Sequence, residues 1–79
     1  MKLEIITPDK IYFTGEVTSV TFPGSKGLFT IKENHAPIIS LLSNGKIIYK
    51  INEKVDEIEI ESGFVEVNNN NVTVCTELV

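Results

Sequence analysis

The amino-acid sequence predicts an all-β fold, an antiparallel β-sandwich or flattened barrel of about nine to ten short strands. Composition is the first reason. The chain has eleven isoleucines, eight valines and seven threonines but one alanine, and β-branched side chains suit a pleated, half-buried surface better than a helix. Periodicity is the second, because residues 57–61 read EIEIE, which places isoleucines on a core face and glutamates in water.

Each predicted strand is a short apolar or alternating run between turn residues, and no stretch has a helical period. The runs are residues 3–7, 10–13, 16–22, 28–32, 38–42, 46–51, 57–61, 63–68 and 72–78. The turn signals between them are Pro8-Asp9, Thr14-Gly15, Pro23-Gly24, Ser43-Asn44-Gly45, Asn52-Glu53 and the asparagines of residues 68–71. Asn44-Gly45 is the strongest hairpin signal, because a type I′ turn requires positive φ at both central residues.

Length and charge limit the function. A chain of 79 residues predicts a single domain over residues 1–79. The net charge of −4, with seven lysines and no arginine, argues against nucleic-acid binding, which depends on clustered cations. No run approaches the ~20 apolar residues of a membrane span, and the first residues lack a signal-peptide pattern, so a cytoplasmic protein is expected.

Two features of the chain resemble sites of chemistry. Residues 24–27, GSKG, look like part of a phosphate-binding loop, but the Walker spacing is missing and a strand follows where a helix is required. A turn is therefore favoured, and no nucleotide is expected. His35, the only histidine, has no nucleophile or further metal ligand beside it. A structural role in a tight turn, or a contact with a partner, is favoured over catalysis, and we predict no catalytic residue, cofactor or metal.

Two other features also receive a structural interpretation. Cys75 is the only cysteine, which excludes an internal disulfide. It lies on the polar phase of its strand with no cation near it in sequence, which favours a small packed side chain over a redox sensor. The acidic run of residues 56–61 lacks the loop spacing of a calcium site and predicts a solvated acidic face.

One alternative function is that of a carrier domain. The segment Pro8-Asp9-Lys10-Ile11 resembles the lysine hairpin of lipoyl and biotinyl carrier domains, which are also small β domains. In those families the lysine lies on a mid-chain hairpin, whereas Lys10 is close to the amino terminus. A free-standing carrier or small-ligand-binding β domain is therefore kept as the alternative function.

A set of ordered motifs extends over essentially the whole chain. They are PGSKG at residues 23–27, HAPII at residues 35–39, GFVEV at residues 63–67 and NVTV at residues 71–74. Together they closely resemble the N-terminal β domain of the epsilon subunit of bacterial F-type ATP synthases. That family shares a P-G-S-x-G loop, an H-A-P-hydrophobic turn, a G-hydrophobic-hydrophobic-E-V strand and N-x-V-T-V. Each motif alone is weakly specific, but their order is specific.

The chain departs from the family pattern in three places. Asn34 stands where glycine usually precedes His-Ala-Pro, a mild change because asparagine tolerates left-handed backbone. Leu28 falls in the segment after the loop, where an acidic residue is usual, so a charge-mediated contact is not expected there. Typical relatives continue into two helices, whereas this chain ends at Val79, so the C-terminal helical domain is expected to be absent.

The resemblance implies a non-catalytic rotor subunit, peripheral at the cytoplasmic face of the bacterial plasma membrane and part of the F1 sector. It would link the gamma subunit to the ring of c subunits and support the coupling of proton transport to ATP synthesis. The residues expected to face the c-ring are Ser25, Lys26, Gly27, Leu28 and His35. The candidate contacts with gamma are Tyr12, Ile38, Ile39 and Ser40.

Overall fold

All regular structure in the chain is β-strand. The computed structural model describes residues 1–79. The strands are β1 (Lys2–Ile6), β2 (Ile11–Glu16), β3 (Ser19–Gly24), β4 (Gly27–Lys32), β5 (Ile38–Leu42), β6 (Gly45–Ile51), β7 (Lys54–Asn68) and β8 (Asn71–Leu78). No helix is present that is long and apolar enough to cross a membrane. The predicted all-β class is confirmed, with eight strands rather than about nine to ten. The pairs are antiparallel as predicted except for β1 and β8, which run parallel.

The smaller strand count comes from β7, which joins two predicted runs into one strand of 15 residues. Its pairing with β8 shifts between Ile60 and Ser62, and a bulge of this kind adds a residue without ending the strand. The buried positions change phase there, from Ile60 before the bulge to Val65 after it. Gly63 lies at the bulge, where a Cβ would approach the carbonyl oxygen of Cys75 to 2.5 Å.

The strands form one hydrogen-bonded sheet that folds over into two layers. The strand order is β2-β1-β8-β7-β5-β3-β4, and β6 pairs with β3 and β7. Residues 54–60 of β7 pair with β6, and residues 63–67 pair with β5 on one edge and β8 on the other. We call β2, β1, β8, residues 63–68 of β7, and β5 the first layer. Phe13 of β2 contacts Tyr49 of β6, with ring centroids 4.7 Å apart, so the layers meet across the core.

One hydrophobic core of 15 buried side chains lies between the layers. Its members alternate along their strands, as Leu3 and Ile5 do in β1 and Val72 and Val74 in β8, each at most 1% exposed. Burying such a side chain stabilises the fold by about 1.5–3 kcal/mol. The inward phase therefore decides which side chains remain on the outer face.

Two predicted turns lie inside strands. Thr14-Gly15 continues β2, where both residues pair with β1. Pro23-Gly24 ends β3, so the turn follows at Ser25-Lys26. In both places the neighbouring strand satisfies the backbone hydrogen-bonding groups, and this outweighs the local preference for a turn.

The predicted Asn44-Gly45 hairpin is wrong. β5 and β6 pair with successive parts of β7 instead of with each other. Both are antiparallel to β7, so they run in the same direction and the chain does not reverse at Asn44-Gly45. Positive φ at both central residues, as in a type I′ turn, occurs instead at Asn69-Asn70, with φ of 51° and 61°. That turn joins β7 to β8. Pairing with the long strand β7 therefore overrides the local signal at Asn44-Gly45.

Candidate functional site

The β3–β4 hairpin ends in an exposed turn at Ser25-Lys26. Glycine is needed on both sides of it. A Cβ on Gly24 would lie 2.7 Å from the carbonyl oxygen of Gly27, and Gly27 has a φ of 126°. Leu28 follows with 77% of its surface exposed, and the Lys26 ammonium makes no salt bridge. The turn therefore presents an aliphatic side chain close to an unpaired cation.

β5 presents a second apolar element. Ile38 and Ser40 are half-buried, whereas Ile39 and Leu41 are 74% and 69% exposed. The predicted contacts Ile38, Ile39 and Ser40 therefore do not share a face, and Ile39 alone points outward. Leu41 is absent from the predicted set, although its spacing of two from Ile39 places it on the same face.

The turn and β5 line one open groove of about 510 Å³. Its walls are residues 25–29 and residues 38–41, among which Lys26 is the only charged residue. The groove brings together two sets that the sequence assigns to different partners, residues 25–28 for the c-ring and residues 38–40 for gamma. It is a groove of mixed polarity, with apolar side chains on both walls and a single cation.

A row of apolar side chains crosses the outer face of the first layer. The strand registers pair Leu41 with Phe64, Phe64 with Cys75, Cys75 with Ile6, and Ile6 with Ile11. Directly paired residues are neighbours on one face of a sheet, so these five side chains form what we call the apolar row. Leu41, Ile11 and Phe64 are 69%, 57% and 45% exposed. A solvated sheet face normally carries polar residues, so the row indicates contact with another protein.

None of the apolar-row residues is in the predicted set. The sequence does contain one sign of this row, because Phe64 and Cys75 lie at positions of alternating strands where polar residues are expected. Their alignment depends on registers between distant strands, which the pattern within one strand does not contain. A cleft of about 380 Å³ adjoins the row at Ile6 and Cys75, and the rest of its lining is mostly polar, including Ser62, Thr76 and Glu77.

His35 lies in a tight turn before β5. Asn34 has a φ of 66°, which confirms that asparagine adopts left-handed backbone at this position. The His35 amide donates to the carbonyl oxygen of Lys32 at 3.2 Å, and its ring Nδ1 lies 2.7 Å from the carbonyl oxygen of Ala36. These contacts support the structural role in a turn, and the side chain remains exposed for a partner.

A pair of amide side chains ties the His35 turn to the β7–β8 hairpin. The backbone N–H of Asn34 donates to Oδ1 of Asn70 at 2.6 Å, and Nδ2 of Asn70 donates to Oδ1 of Asn34 at 3.2 Å. Both contacts join residues 36 positions apart in the chain. They restrict movement of the turn relative to the sandwich.

Tyr12 lies at the opposite edge of the first layer from Ile39. β2 and β5 are the outer strands of that layer, with β1, β8 and β7 between them, a span of about 19 Å at ~4.8 Å per strand. Tyr12 is 41% exposed and follows Ile11, the last residue of the apolar row. The row therefore connects the two parts of the predicted gamma contact.

Tyr12 also lies close to Tyr49, whose hydroxyl pKa is raised by its surroundings. Burial raises the pKa of the Tyr49 hydroxyl, and Asp56 and then Tyr12 raise that pKa further. Tyr49 pairs with Asp56 between β6 and β7 and is 3% exposed. A phenol with a raised pKa is neutral at pH 7, so Tyr49 acts as a core side chain.

The remaining candidates for chemistry do not assemble into an active site. The segment of residues 24–27 is a hairpin turn that leads into β4, whereas a Walker loop leads into a helix. No group of three or more His, Cys, Asp or Glu residues is placed to hold a metal ion. Lys10 is an exposed residue at the β1–β2 connection.

Comparison with protein families gives a match over the full described chain. The model of the family described as ATP synthase, Delta/Epsilon chain, beta-sandwich domain matches residues 1–79. The ATP synthase epsilon chain of Chlorobium limicola is 47% identical over 77 residues, which cover 96% of this chain and 88% of that protein. The ATP synthase epsilon chain of Leptospira borgpetersenii is 40% identical over 77 residues, which cover 98% of this chain and 61% of that protein.

Two solved structures share the fold. A chain in the central stalk and c-ring structure of the Tetrahymena thermophila mitochondrial ATP synthase superposes with a TM-score of 0.82 at 14% identity, covering 96% of this chain and 62% of that chain. A chain of the Euglena gracilis mitochondrial ATP synthase, in an OSCP, F1 and c-ring structure, gives a TM-score of 0.88 at 23% identity, covering 94% and 48%. The chain thus spans less than two thirds of the Leptospira relative and of both structural neighbours.

Proposed function

The chain belongs to the family of ATP synthase delta and epsilon chains, and from this membership we propose that it is a non-catalytic subunit of the central stalk. In this role it joins the gamma subunit to the ring of c subunits, at the cytoplasmic face of the bacterial plasma membrane and within the F1 sector. Residues 1–79 act there as one domain, and the subunit contributes to the coupling of proton transport to ATP synthesis.

The observation that carries this proposal is the apolar row on the outer face of the two-layer sandwich. A subunit that transmits rotation has to bind its neighbours firmly and resist deformation. The row and Ile39 supply exposed apolar area, worth about 25 cal/mol per Å² when a partner covers it. The two-layer sheet with its single core supplies the stiffness.

We assign the first layer to gamma. Ile39 and the adjacent apolar row form the centre of this contact, with Tyr12 at its far edge. Ile38 and Ser40 support it from the inner side of β5. Since Leu41 and Phe64 pair directly and are both exposed, we add them to the gamma contact.

We assign the c-ring contact to the turn of residues 25–28 and to the His35 turn, which both adjoin β5. Leu28 is the most exposed of the large hydrophobic residues, at 77%, and favours an apolar contact. The Asn34–Asn70 amide pair keeps the His35 turn in place under load.

Family membership favours the rotor function over the carrier alternative. Carrier domains present their lysine on a mid-chain hairpin, whereas Lys10 lies at the connection of the first two strands. Mass spectrometry of the native chain provides the check. A covalent lipoyl or biotinyl group on Lys10 would favour the carrier alternative over the rotor function.

Co-purification of gamma with variants of this chain tests the gamma assignment. Ile39→Asp should release gamma, because complex formation would bury an unpaired carboxylate. Lys26→Ala is the control and should retain gamma, because a charge at the rim of an interface mainly affects association rate and salt dependence. Both variants are first checked for wild-type urea unfolding. If Lys26→Ala loses gamma and Ile39→Asp retains it, the contact lies elsewhere.

A further inference from the structure

β5 has one edge that is almost unpaired. Along its β7 edge all five residues of β5 have a partner, but on the opposite edge only Leu42 has one, Gly24 of β3. The N–H and C=O groups of successive strand residues point to alternate edges. The carbonyl oxygen of Leu41 accepts from the Ser25 amide at 3.1 Å, so Leu41 and, by alternation, Ile39 direct their backbone groups away from β7. The N–H and C=O of Ile39 therefore face the groove without a strand partner.

This edge lacks the charged residues that protect many open sheet edges, although β5 is short, at five residues, and follows Pro37. Proteins usually place charged residues on such strands to prevent pairing with another chain. β2 includes Glu16, and β4 includes Lys32. β5 has no charged residue, and neither do the flanking residues from Ala36 to Gly45. An exposed and uncharged edge of this kind is a template for a further strand.

The groove beside this edge selects the kind of strand that fits. Leu28 and Phe29 line the side opposite β5, and Lys26 is the only charged lining residue. The complementary segment is extended, with apolar side chains toward Leu28 and Phe29 and no cation next to Lys26. The groove is continuous with the apolar row through Leu41, so gamma can cover both. The turn of residues 25–28, which lines the groove, would then border gamma as well as the c-ring.

We propose that an extended segment of the gamma subunit adds to the free edge of β5 as a further strand. A backbone N–H of gamma donates to the C=O of Ile39, and a backbone C=O of gamma accepts from the N–H of Ile39. This mode of recognition is strand addition, in which main-chain hydrogen bonds provide affinity and side-chain pockets provide specificity. The inference rests on the proposed function, since it names gamma as the partner.

Amide hydrogen exchange by NMR tests the proposal on the full chain, alone and in complex with gamma. The Ile39 amide should exchange rapidly in the free chain and at least about a hundredfold more slowly in the complex. The Ser40 amide, which faces β7, should be slow in both states. The Thr30 amide, which faces the open edge of β4, should remain fast in both.

The possible outcomes separate the two proposals. If gamma binds and the Ile39 amide stays fast, strand addition is overturned and the proposed function stands. If gamma does not bind, both are overturned. Protection of Ile39 that rises with protein concentration in the absence of gamma would identify a second copy of this chain as the occupant and would also overturn strand addition.

Ile39→Pro provides an independent test, because proline removes the N–H donor and is tolerated where that group faces away from the sheet. Gamma should bind this variant roughly tenfold more weakly. Ile39→Ala removes most of the side chain but keeps the N–H donor, so it should weaken gamma binding less than Ile39→Pro does. Wild-type gamma affinity in a folded Ile39→Pro chain would overturn the proposal. If that variant does not fold, the exchange of the wild-type Ile39 amide decides.

Discussion

The two halves of β7 share an inner face but differ in their outer faces. Residues 54–60 bury Ile58 and Ile60, and residues 63–68 bury Val65 and Val67, all at most 7% exposed. On the outer face, the first half presents Val55 followed by Glu57 and Glu59, and Glu57 pairs with Lys46 at 3.1 Å. The second half presents Phe64 within the apolar row.

This difference separates the requirements of folding from those of binding. Both halves obey the same alternation, because both have to close the core. The second half departs from the polar pattern of a solvated sheet at Phe64, which lies next to exposed Leu41 in the register, whereas the exposed Val55 of the first half has no such apolar neighbour in its register with Lys50. The bulge between Ile60 and Ser62 separates the two segments.

The largest expected effect tests the shared inner face. Ile60→Ala should lower the free energy of unfolding by about 2–5 kcal/mol, because it opens a cavity at a fully buried position. Ile58→Ala should act in the same direction. Glu59→Ala, between them, should change stability by less than about 0.5 kcal/mol. Urea titration measures all three, and equal destabilisation by all three would show that the inward phase of this half is misassigned.

The next effect tests the outer face of the second half. Phe64→Glu gives this half the outer chemistry of the first half, and should weaken gamma binding by about thirtyfold, or 2 kcal/mol, as expected for a central interface aromatic. Stability should remain near that of the wild type, since Phe64 is 45% exposed. The matched control is Glu57→Ala, which should retain gamma. Unchanged affinity for Phe64→Glu would remove the apolar row from the gamma contact.

A smaller effect belongs to the first half, where Asp56 faces Tyr49 across the β6–β7 pairing. Burial, Asp56 and Tyr12 raise the pKa of Tyr49 in the folded chain above its unfolded value of about 10. The stability that depends on neutral Tyr49 is therefore fully present below about pH 10 and is lost as pH rises through the folded pKa. Tyr49→Phe should lose less stability than the wild type above that pH.

Urea unfolding at about pH 8 and about pH 11 measures this difference. Asp56→Asn removes the second cause of the raised pKa and should give a pH dependence between those of the wild type and Tyr49→Phe. Identical pH dependence of the wild type and Tyr49→Phe would mean that the phenol titrates alike in the folded and unfolded chains.

The smallest expected effect concerns the cation of the groove. Lys26→Ala should leave the free energy of unfolding within about 0.5 kcal/mol of the wild type, because Lys26 forms no salt bridge. Its association rate with gamma should become less sensitive to salt, because the long-range attraction of Lys26 is screened by ions. Association kinetics at low and high salt provide the measurement. A salt dependence equal to that of the wild type would remove Lys26 from the encounter surface.

Several parts of the fold could be predicted because they depend on neighbouring residues. The alternation in residues 57–61 correctly places Ile58 and Ile60 inside. The left-handed backbone at Asn34 follows from the tolerance of asparagine for positive φ. The predicted hairpin at Asn44-Gly45 fails because the pairing of β5 and β6 with β7 is a long-range choice that outweighs a turn preference.

The candidate site could be predicted only in part. Ile39 and Leu28 were identifiable from their motifs and are exposed in the structure. Leu41 could have been found from its spacing to Ile39, and Phe64 from its place on a polar phase. Cys75 and Ile6 could not be identified as members of a row, because each is an ordinary residue within its own strand.

The sequence by itself determined that the chain forms strands and, where a strand alternates as residues 57–61 do, which side chains point inward, because β-branched composition and a period of two are properties of neighbouring residues. The tertiary structure decided which strands pair and in which register. Leu41, Phe64, Cys75 and Ile6 come from different parts of the chain, and only the registers align them. The open edge of β5 has the same origin, since β3 ends at Gly24 and leaves Ile39 without a partner. A local pattern specifies a period, whereas a surface depends on contacts between distant residues.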